Sequence, residues 1–330
     1  MTERFVSGFC TIVGRPNVGK STLLNAFLEA KLAIISDKPQ TTRNRILGVY
    51  NRPGAQVIFM DTPGIHKPHH KLGEYMNKAA TSTLPEVDVV LFVVDGSSRH
   101  PGDGDRFVAE AVARSGKPTL LVVNKMDRVG REDWYAVLDN YKALGTPAGR
   151  VAPEDAGAPG DAADRSRRDR GEPKTIEWLD IVPVSAMGNK NVDQLLDLVL
   201  ARMPEGPQYY PEDMVTDQPE RFIISEFIRE KILQLTRDEI PHSIAVEVEE
   251  LKRRDNGMVY VAAAILVERD SQKGIIIGAK GAMLKDVGAK ARVDIEELLG
   301  SQIYLELFVK VREDWRNKPT MLRDLGYRGE

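Results

Sequence analysis

Along residues 5–203 the hydrophobic pattern switches between two periods. Short unbroken apolar runs at 9–13, 57–60, 89–94, 119–123 and 181–184 alternate with stretches of helical spacing. Unbroken runs of this kind suit strands buried on both faces of a parallel sheet, with the intervening helices supplying the cover. Each run ends in a polar or glycine cluster, at the strand end where open α/β sheets bind ligands. The pattern predicts an α/β domain over 1–203, a mostly parallel sheet flanked by helices.

After Met203 the pattern changes. Pro204, Gly206, Pro207, Pro211 and Pro219 forbid regular helix, so 204–219 reads as a linker and 220–330 as a second, α+β domain. There a helical stripe, Ile224, Phe227, Ile228, Ile232 and Leu235, precedes an alternating strand (Ile244, Val246, Val248) and a second strand over 259–267. Asp255-Asn256-Gly257 is the turn between the two strands. A helical stretch with Leu284, Val287, Ala291, Ile295 and Leu298 follows, then a last alternating strand from Ile303 to Val311. One segment breaks the first domain: 145–174 is filled with Gly, Pro, Ala, Asp and Arg, buries too little to offset its ordering entropy, and reads as a disordered surface insertion.

Composition narrows the classes. The 330 residues suffice for two cores, and 46 basic against 49 acidic side chains give a net charge of −3, so nucleic-acid binding needs a local patch. The longest apolar run is far short of a membrane span and the first residues lack a signal-peptide core, which predicts a cytoplasmic protein. Cys10, the one cysteine, reads as a small buried strand residue.

Gly14-Arg15-Pro16-Asn17-Val18-Gly19-Lys20-Ser21 matches the P-loop pattern in full, with a strand before it and a helical run beginning at Thr22 after it. The glycines let backbone N–H groups curl around a polyphosphate, and the helix amino terminus adds its dipole. Lys20 can reach the β and γ phosphates, and the Ser21 hydroxyl suits Mg²⁺. Asp61-Thr62-Pro63-Gly64 ends the 57–60 run, where Asp61 can hold Mg²⁺ and the Gly64 N–H can meet a γ-phosphate. Asn124-Lys125-Met126-Asp127 ends the 119–123 run: the Asp127 carboxylate accepts the donor pair that guanine presents and adenine does not, and Asn124 reaches the other side of the base. Ser185-Ala186 can offer backbone N–H to the guanine carbonyl. Ile65 stands where many GTPases carry a water-orienting glutamine, which predicts slow intrinsic hydrolysis assisted by a monovalent cation or a partner.

In the second domain, Gly278-Ala279-Lys280-Gly281 is the GxxG of a KH domain, whose glycines let a nucleic-acid backbone pass close while bases rest on an apolar groove. Ile276, Ile277 and Leu284 divide between core and groove floor. Arg269, Lys273, Lys280, Lys285, Lys290 and Arg292 outnumber Asp270 and Asp286, the local basic patch that the near-neutral chain conceals.

The ordered set from Gly14 to Ala186 resembles GTPases of the TrmE, Era and EngA class, and the KH arrangement behind it narrows the resemblance to the Era family. The resemblance implies a type II KH domain and a switch threonine on Mg²⁺ within Gln40-Thr41-Thr42-Arg43, assigned to Thr42 with Thr41 as the alternative. It implies a K⁺ site at Asn17, and catalysis carried by Lys20, Thr42 and Gly64. It further implies a monomeric, GTP/GDP-switched factor that binds the 3′ end of small-subunit ribosomal RNA through the 276–281 segment and Lys285, assists assembly of the 30S subunit, and associates peripherally with the inner membrane. Action on another RNA, or a membrane-linked cell-cycle role, is the alternative.

Overall fold

The computed structural model describes residues 4–38, 40–66, 68, 70–145, 175–236 and 240–327, so the predicted insertion, apart from Gly145, lies outside the described residues. The first half builds a six-stranded sheet from β1 (Val6–Val13), β2 (Ile46–Arg52), β3 (Ala55–Asp61), β4 (Val89–Asp95), β5 (Thr119–Asn124) and β6 (Trp178–Pro183), in the order β2-β3-β1-β4-β5-β6. All neighbours pair in parallel except β2 with β3. The central strands β3, β4 and β5 are buried at every residue, as their unbroken apolar runs require. Helices α1 (Lys20–Leu28) and α5 (Val192–Leu200) share one core with Leu91 and Val122, while α2 (Lys71–Thr81), α3 (Asp103–Ser115) and α4 (Trp134–Lys142) contribute to cores that hold the other face.

Strand β2 escaped the pattern reading because Gly48 interrupts its apolar run. A Cβ on Gly48 would stand 2.6 Å from Cδ1 of Leu28 and 3.0 Å from Cδ1 of Leu24, so the glycine is what lets α1 lie close on the sheet. Pro53 and Gly54, the latter at φ +75°, turn β2 tightly into β3.

The second half runs α6 (Glu220–Leu235), α7 (Ile240–Ser243), β7 (Ala245–Arg253), β8 (Val259–Val267), α8 (Asp270–Ile277), α9 (Ala282–Leu299), β9 (Ile303–Val311) and α10 (Pro319–Asp324). Its sheet has the order β7-β8-β9, antiparallel then parallel, the mixed arrangement of a KH fold. The two halves are not separate bodies on a string. The core cluster that holds Leu23, Ala33 and Ile34 is continuous with Ile224, Phe227, Ile228 and Ile232 of α6. A second cluster joins Leu72 and Met76 of α2 to Trp315, Leu322 and Tyr327. Residues 204–219 pass the start of β1 and Gln56 of β3 and then follow the outer edge of β2, with Val49 N–H donating to the Val215 carbonyl at 2.8 Å.

Candidate nucleotide site and nucleic-acid loop

The turn from β1 into α1 carries the phosphate loop, and its glycines are required by space. A Cβ on Gly19, at φ +101°, would fall 2.2 Å from Nδ2 of Asn124; one on Gly64 would fall 2.6 Å from the Pro16 nitrogen. Both glycines therefore mark places where two loops touch closely. Thr62 Oγ1 donates to the Ile12 carbonyl at 2.8 Å, which ties the end of β3 to β1 below Gly64 and Pro63. Val18 is fully buried, and Thr22 sits in the first turn of α1.

Three oxygens converge next to the loop. Ser21 Oγ donates to Asp61 Oδ2 at 2.6 Å and stands 2.8 Å from Thr42 Oγ1, while Thr41 Oγ1 turns away to the Lys38 carbonyl at 2.6 Å. Of the doubled threonines it is Thr42, then, that reaches this cluster. Asp61 is fully buried and its Oδ1 has no hydrogen-bond partner. A buried carboxylate oxygen without a donor is costly unless something positive meets it. Two hydroxyls and a carboxylate are the hard oxygen set that suits Mg²⁺, so these residues fit the ion.

Burial governs Lys20 and Asp61, the charged pair beside the phosphate loop. It pushes the Lys20 ammonium down to about 8, with Asp61 opposing the shift and Arg15 adding to it. It pushes the Asp61 carboxyl up to about 6, with Lys20 and the Ser21 hydroxyl opposing. Lys20 Nζ donates to the carbonyls of Gly14 at 3.1 Å and Arg15 at 3.0 Å, curled over the loop that a phosphate would enter. The Arg15 guanidinium is drawn off to Asp105 at 3.2 Å.

The base-side residues form a brace. Asn124 Nδ2 donates to the Val18 carbonyl at 2.8 Å, and its Oδ1 accepts from the Ala186 N–H at 3.0 Å. Lys125, at φ +63°, donates to the Asn17 carbonyl at 2.6 Å and to Asp95 at 2.7 Å. Burial raises the Asp95 carboxyl, but its bonds from Lys125 and Ser97 hold it below the usual range. Asp127 is exposed, its carboxylate open to a ligand. The expected backbone donors differ from the prediction: Ser185 N–H goes to the Lys190 carbonyl at 3.1 Å and Ala186 N–H to Asn124, so this loop holds Asn124 rather than presenting free N–H groups. Ile65 is 1% exposed, packed into the core, with its N–H on the Gly14 carbonyl at 3.2 Å, and cannot orient a water.

In the second half α8 ends at Gly278, whose N–H returns to the Gly274 carbonyl at 2.9 Å. Gly278 (φ +70°), Lys280 (φ +51°) and Gly281 (φ +79°) take positive-φ conformations, which throws Ala279 and Lys280 outward. Lys285 is exposed on the first turns of α9, and Lys290 pairs with Asp286 at 3.4 Å. Ile276 is corrected: it is fully buried in the core and cannot touch RNA, whereas Ile277 and Leu284 are half-buried and Ile275 is 54% exposed. The residue-by-residue pattern misplaced the face because 274–277 belongs to a short helix, not to the extended segment into which an alternating reading would put it.

The seam between the halves was not foreseen. Arg43 and Arg229, each 1% exposed, cross it in opposite directions, and Lys31 of the first half reaches Glu230 and Asp294 of the second, both at 2.6 Å. The available signal was the spread of Ile223, Ile224, Phe227, Ile228, Ile232 and Leu233 over more than one face of α6, which marks a helix covered on two sides.

Comparison with known proteins matches this division of labour. Residues 9–125 match the family described as 50S ribosome-binding GTPase, and residues 239–316 match the KH domain. The GTPase Era of Heliobacterium modesticaldum is 50% identical over 325 residues, 98% of each chain. A crystal structure of a single-residue variant of Aquifex aeolicus Era bound to GDP·AlF₄⁻ is 39% identical with a TM-score of 0.86, covering 98% of this chain and all of that one. A structure of Era in complex with MgGDPNP and nucleotides 1506–1542 of 16S ribosomal RNA agrees equally well, at 39% identity and a TM-score of 0.86 over the same coverage. A phosphate loop, a guanine brace and a glycine-kinked KH loop on one chain, half identical to a relative along nearly its whole length, make this protein a member of the Era GTPase family.

Proposed function

We propose that this GTPase binds the 3′ end of 16S ribosomal RNA through its KH domain, under control of the bound nucleotide, and so assists assembly of the small ribosomal subunit. The observation that carries the reading is the exposed, glycine-kinked 278–281 loop, on a chain that aligns end to end with an Era captured on that RNA. A loop of this shape lets a phosphate backbone approach, and Lys280 and Lys285 supply the charge.

In the nucleotide site, Ser21, Thr42 and Asp61 would hold Mg²⁺, which when bound would neutralise charge on the β and γ phosphates. Lys20 leaves its two carbonyls for the phosphates, and the Gly64 N–H reads the γ-phosphate. Asp127 selects guanine, while Asn124 is held in register by Ala186 and Val18. With Ile65 in the core, positive charge for the transition state would be supplied by a K⁺ held at Asn17. Its Nδ2 donates to the Asp37 carbonyl at 2.7 Å, so the amide end already faces a loop carbonyl, and a turned amide would aim two oxygens at one cation. Steady-state hydrolysis in K⁺ against Na⁺ checks this; equal rates remove the ion.

The test of the RNA reading is anisotropy of a labelled 16S 3′-end oligonucleotide at one fixed salt concentration, with GDPNP and then GDP. Tighter binding with GDPNP is expected. Equal binding refutes nucleotide control, and no binding in either state refutes the RNA assignment.

A further inference from the structure

Thr42 lies at the seam, and both of its neighbours are held from the KH side. Arg229 of α6 donates through Nη2 to the Thr41 carbonyl. Its guanidinium is aimed by Glu226, which accepts from Nε at 2.8 Å and from Nη2 at 2.5 Å. Arg43 runs the other way, donating to the carbonyls of Ile244 at 2.6 Å and Pro241 at 3.2 Å, with its guanidinium 5.7 Å from the centre of the Trp315 ring. Upstream, Glu230 accepts the Ile35 N–H at 2.8 Å. The loop that delivers Thr42 is thus anchored at 35, 41 and 43 to elements outside the nucleotide half.

The Thr41 carbonyl and the Thr42 nitrogen belong to one planar peptide. Fixing that carbonyl fixes the plane from which the Thr42 side chain departs, and here the side chain departs toward Ser21 at 2.8 Å. A buried guanidinium already paired with a carboxylate is a stiff and directional donor for this task.

We propose that Arg229 is a positioning residue of the GTPase site: through the Thr41–Thr42 peptide, helix α6 of the KH half aims the Thr42 hydroxyl at the Mg²⁺ donors Ser21 and Asp61. The proposal rests on Thr42 being a Mg²⁺ ligand in the triphosphate state. It makes the nucleotide site incomplete without the RNA-binding half. By linkage, whatever displaces α6 loosens Thr42, and whatever recruits Thr42 draws α6 in.

The test uses the full chain. Arg229→Gln is compared with wild type in GDP affinity, GDPNP affinity with Mg²⁺, and backbone hydrogen exchange of residues 40–45 without nucleotide. Because a lone buried Glu226 can unfold the seam, Glu226→Gln/Arg229→Met, which removes both charges, is measured alongside. GDP affinity should stay within about twofold, while GDPNP affinity falls roughly tenfold, the size of one lost charge-assisted hydrogen bond. Exchange at Thr42 and Arg43 should quicken. Thr42→Ala sets the scale, and adding Arg229→Gln to it should cost GDPNP no further affinity. Equal losses for GDP and GDPNP would make Arg229 a structural tie only and overturn the proposal, as would an unchanged ratio beside a Thr42→Ala that loses it. If Thr42→Ala itself leaves the ratio unchanged, the Mg²⁺-ligand reading fails and takes the proposal with it.

Discussion

The nucleotide site and the KH loop both depend on glycine, and Gly64 and Gly281 stand at opposite extremes of why. At Gly64 the φ angle is ordinary but a side chain would drive into Pro16, with its nitrogen, Cα and Cγ all within 2.7 Å. At Gly281 nothing lies within 4 Å of an added Cβ, and only the φ of +79° calls for glycine. Gly278 has both problems, a φ of +70° and Met283 Cβ at 2.6 Å. The nucleotide site is thus a place where packed backbones must touch, and the KH loop is a place where an open backbone must bend. The first fails by steric exclusion; the second fails by degrees.

Substitutions can break that contrast. Gly64→Ala should separate β3's end from the phosphate loop and cut the turnover rate for GTP roughly 100-fold, the usual cost of a misplacement of about 1 Å. Single-turnover hydrolysis measures it, and a loss under about threefold would show the loops can part without harm. Gly278→Asp should abolish RNA binding while leaving RNA-free GTP hydrolysis intact, checked by oligonucleotide anisotropy beside a phosphate-release assay. Acid sharpens the comparison without mutation. Asp61 has its carboxyl raised to about 6, so below that pH a proton competes with Mg²⁺. Mg²⁺·GDPNP affinity should fall by about tenfold per pH unit under 6, with a proton released on binding, while RNA affinity changes little over the same range. The sign for Lys20 is reversed: held to about 8, it is neutral above that pH and should take up a proton when phosphate binds. Calorimetry in buffers of different ionisation enthalpy reads both. Last and smallest, Gly281→Ala should cost about 1 kcal/mol of KH stability through its φ alone, with RNA binding weakened and not lost.

How far each region could be read from sequence follows the same division. Contiguous residues carry the phosphate loop, the Asp61 turn and the Asn124 turn, and each closes an apolar run that could only be a buried strand. Their chemistry was therefore legible from spacing and context. The doubled threonine was not, because choosing Thr42 over Thr41 depends on which hydroxyl the folded loop turns toward Ser21. Ile276 is misplaced for a related reason: neighbours in a helix point about 100° apart, so Ile276 faces the core while Ile275 faces outward. The apolar spread of α6 signals that the helix is covered on two sides, but the partners across the seam are beyond reach, since Arg229 and Thr41 are far apart along the chain and no local pattern links them. Buried charges in α6 acquire meaning only once another domain is laid over them.

The path of residues 204–219 has a mechanical consequence. Ser7 N–H bonds to the Pro204 carbonyl at 3.0 Å, Gln56 Oε1 accepts from Tyr209 at 2.8 Å and Tyr210 at 3.0 Å, and Thr216 Oγ1 donates to the Leu47 carbonyl at 2.6 Å. A chain stitched down this far is not a leash. It also shields the open edge of β2, which would otherwise invite pairing with another molecule. Only Asp217, Gln218 and Pro219 remain between the last stitch and α6. Any swing of the KH half must then turn about a short pivot beside the nucleotide half, like a door on its jamb, and it returns to the same seat each time at an effective concentration that a loose tether could not provide.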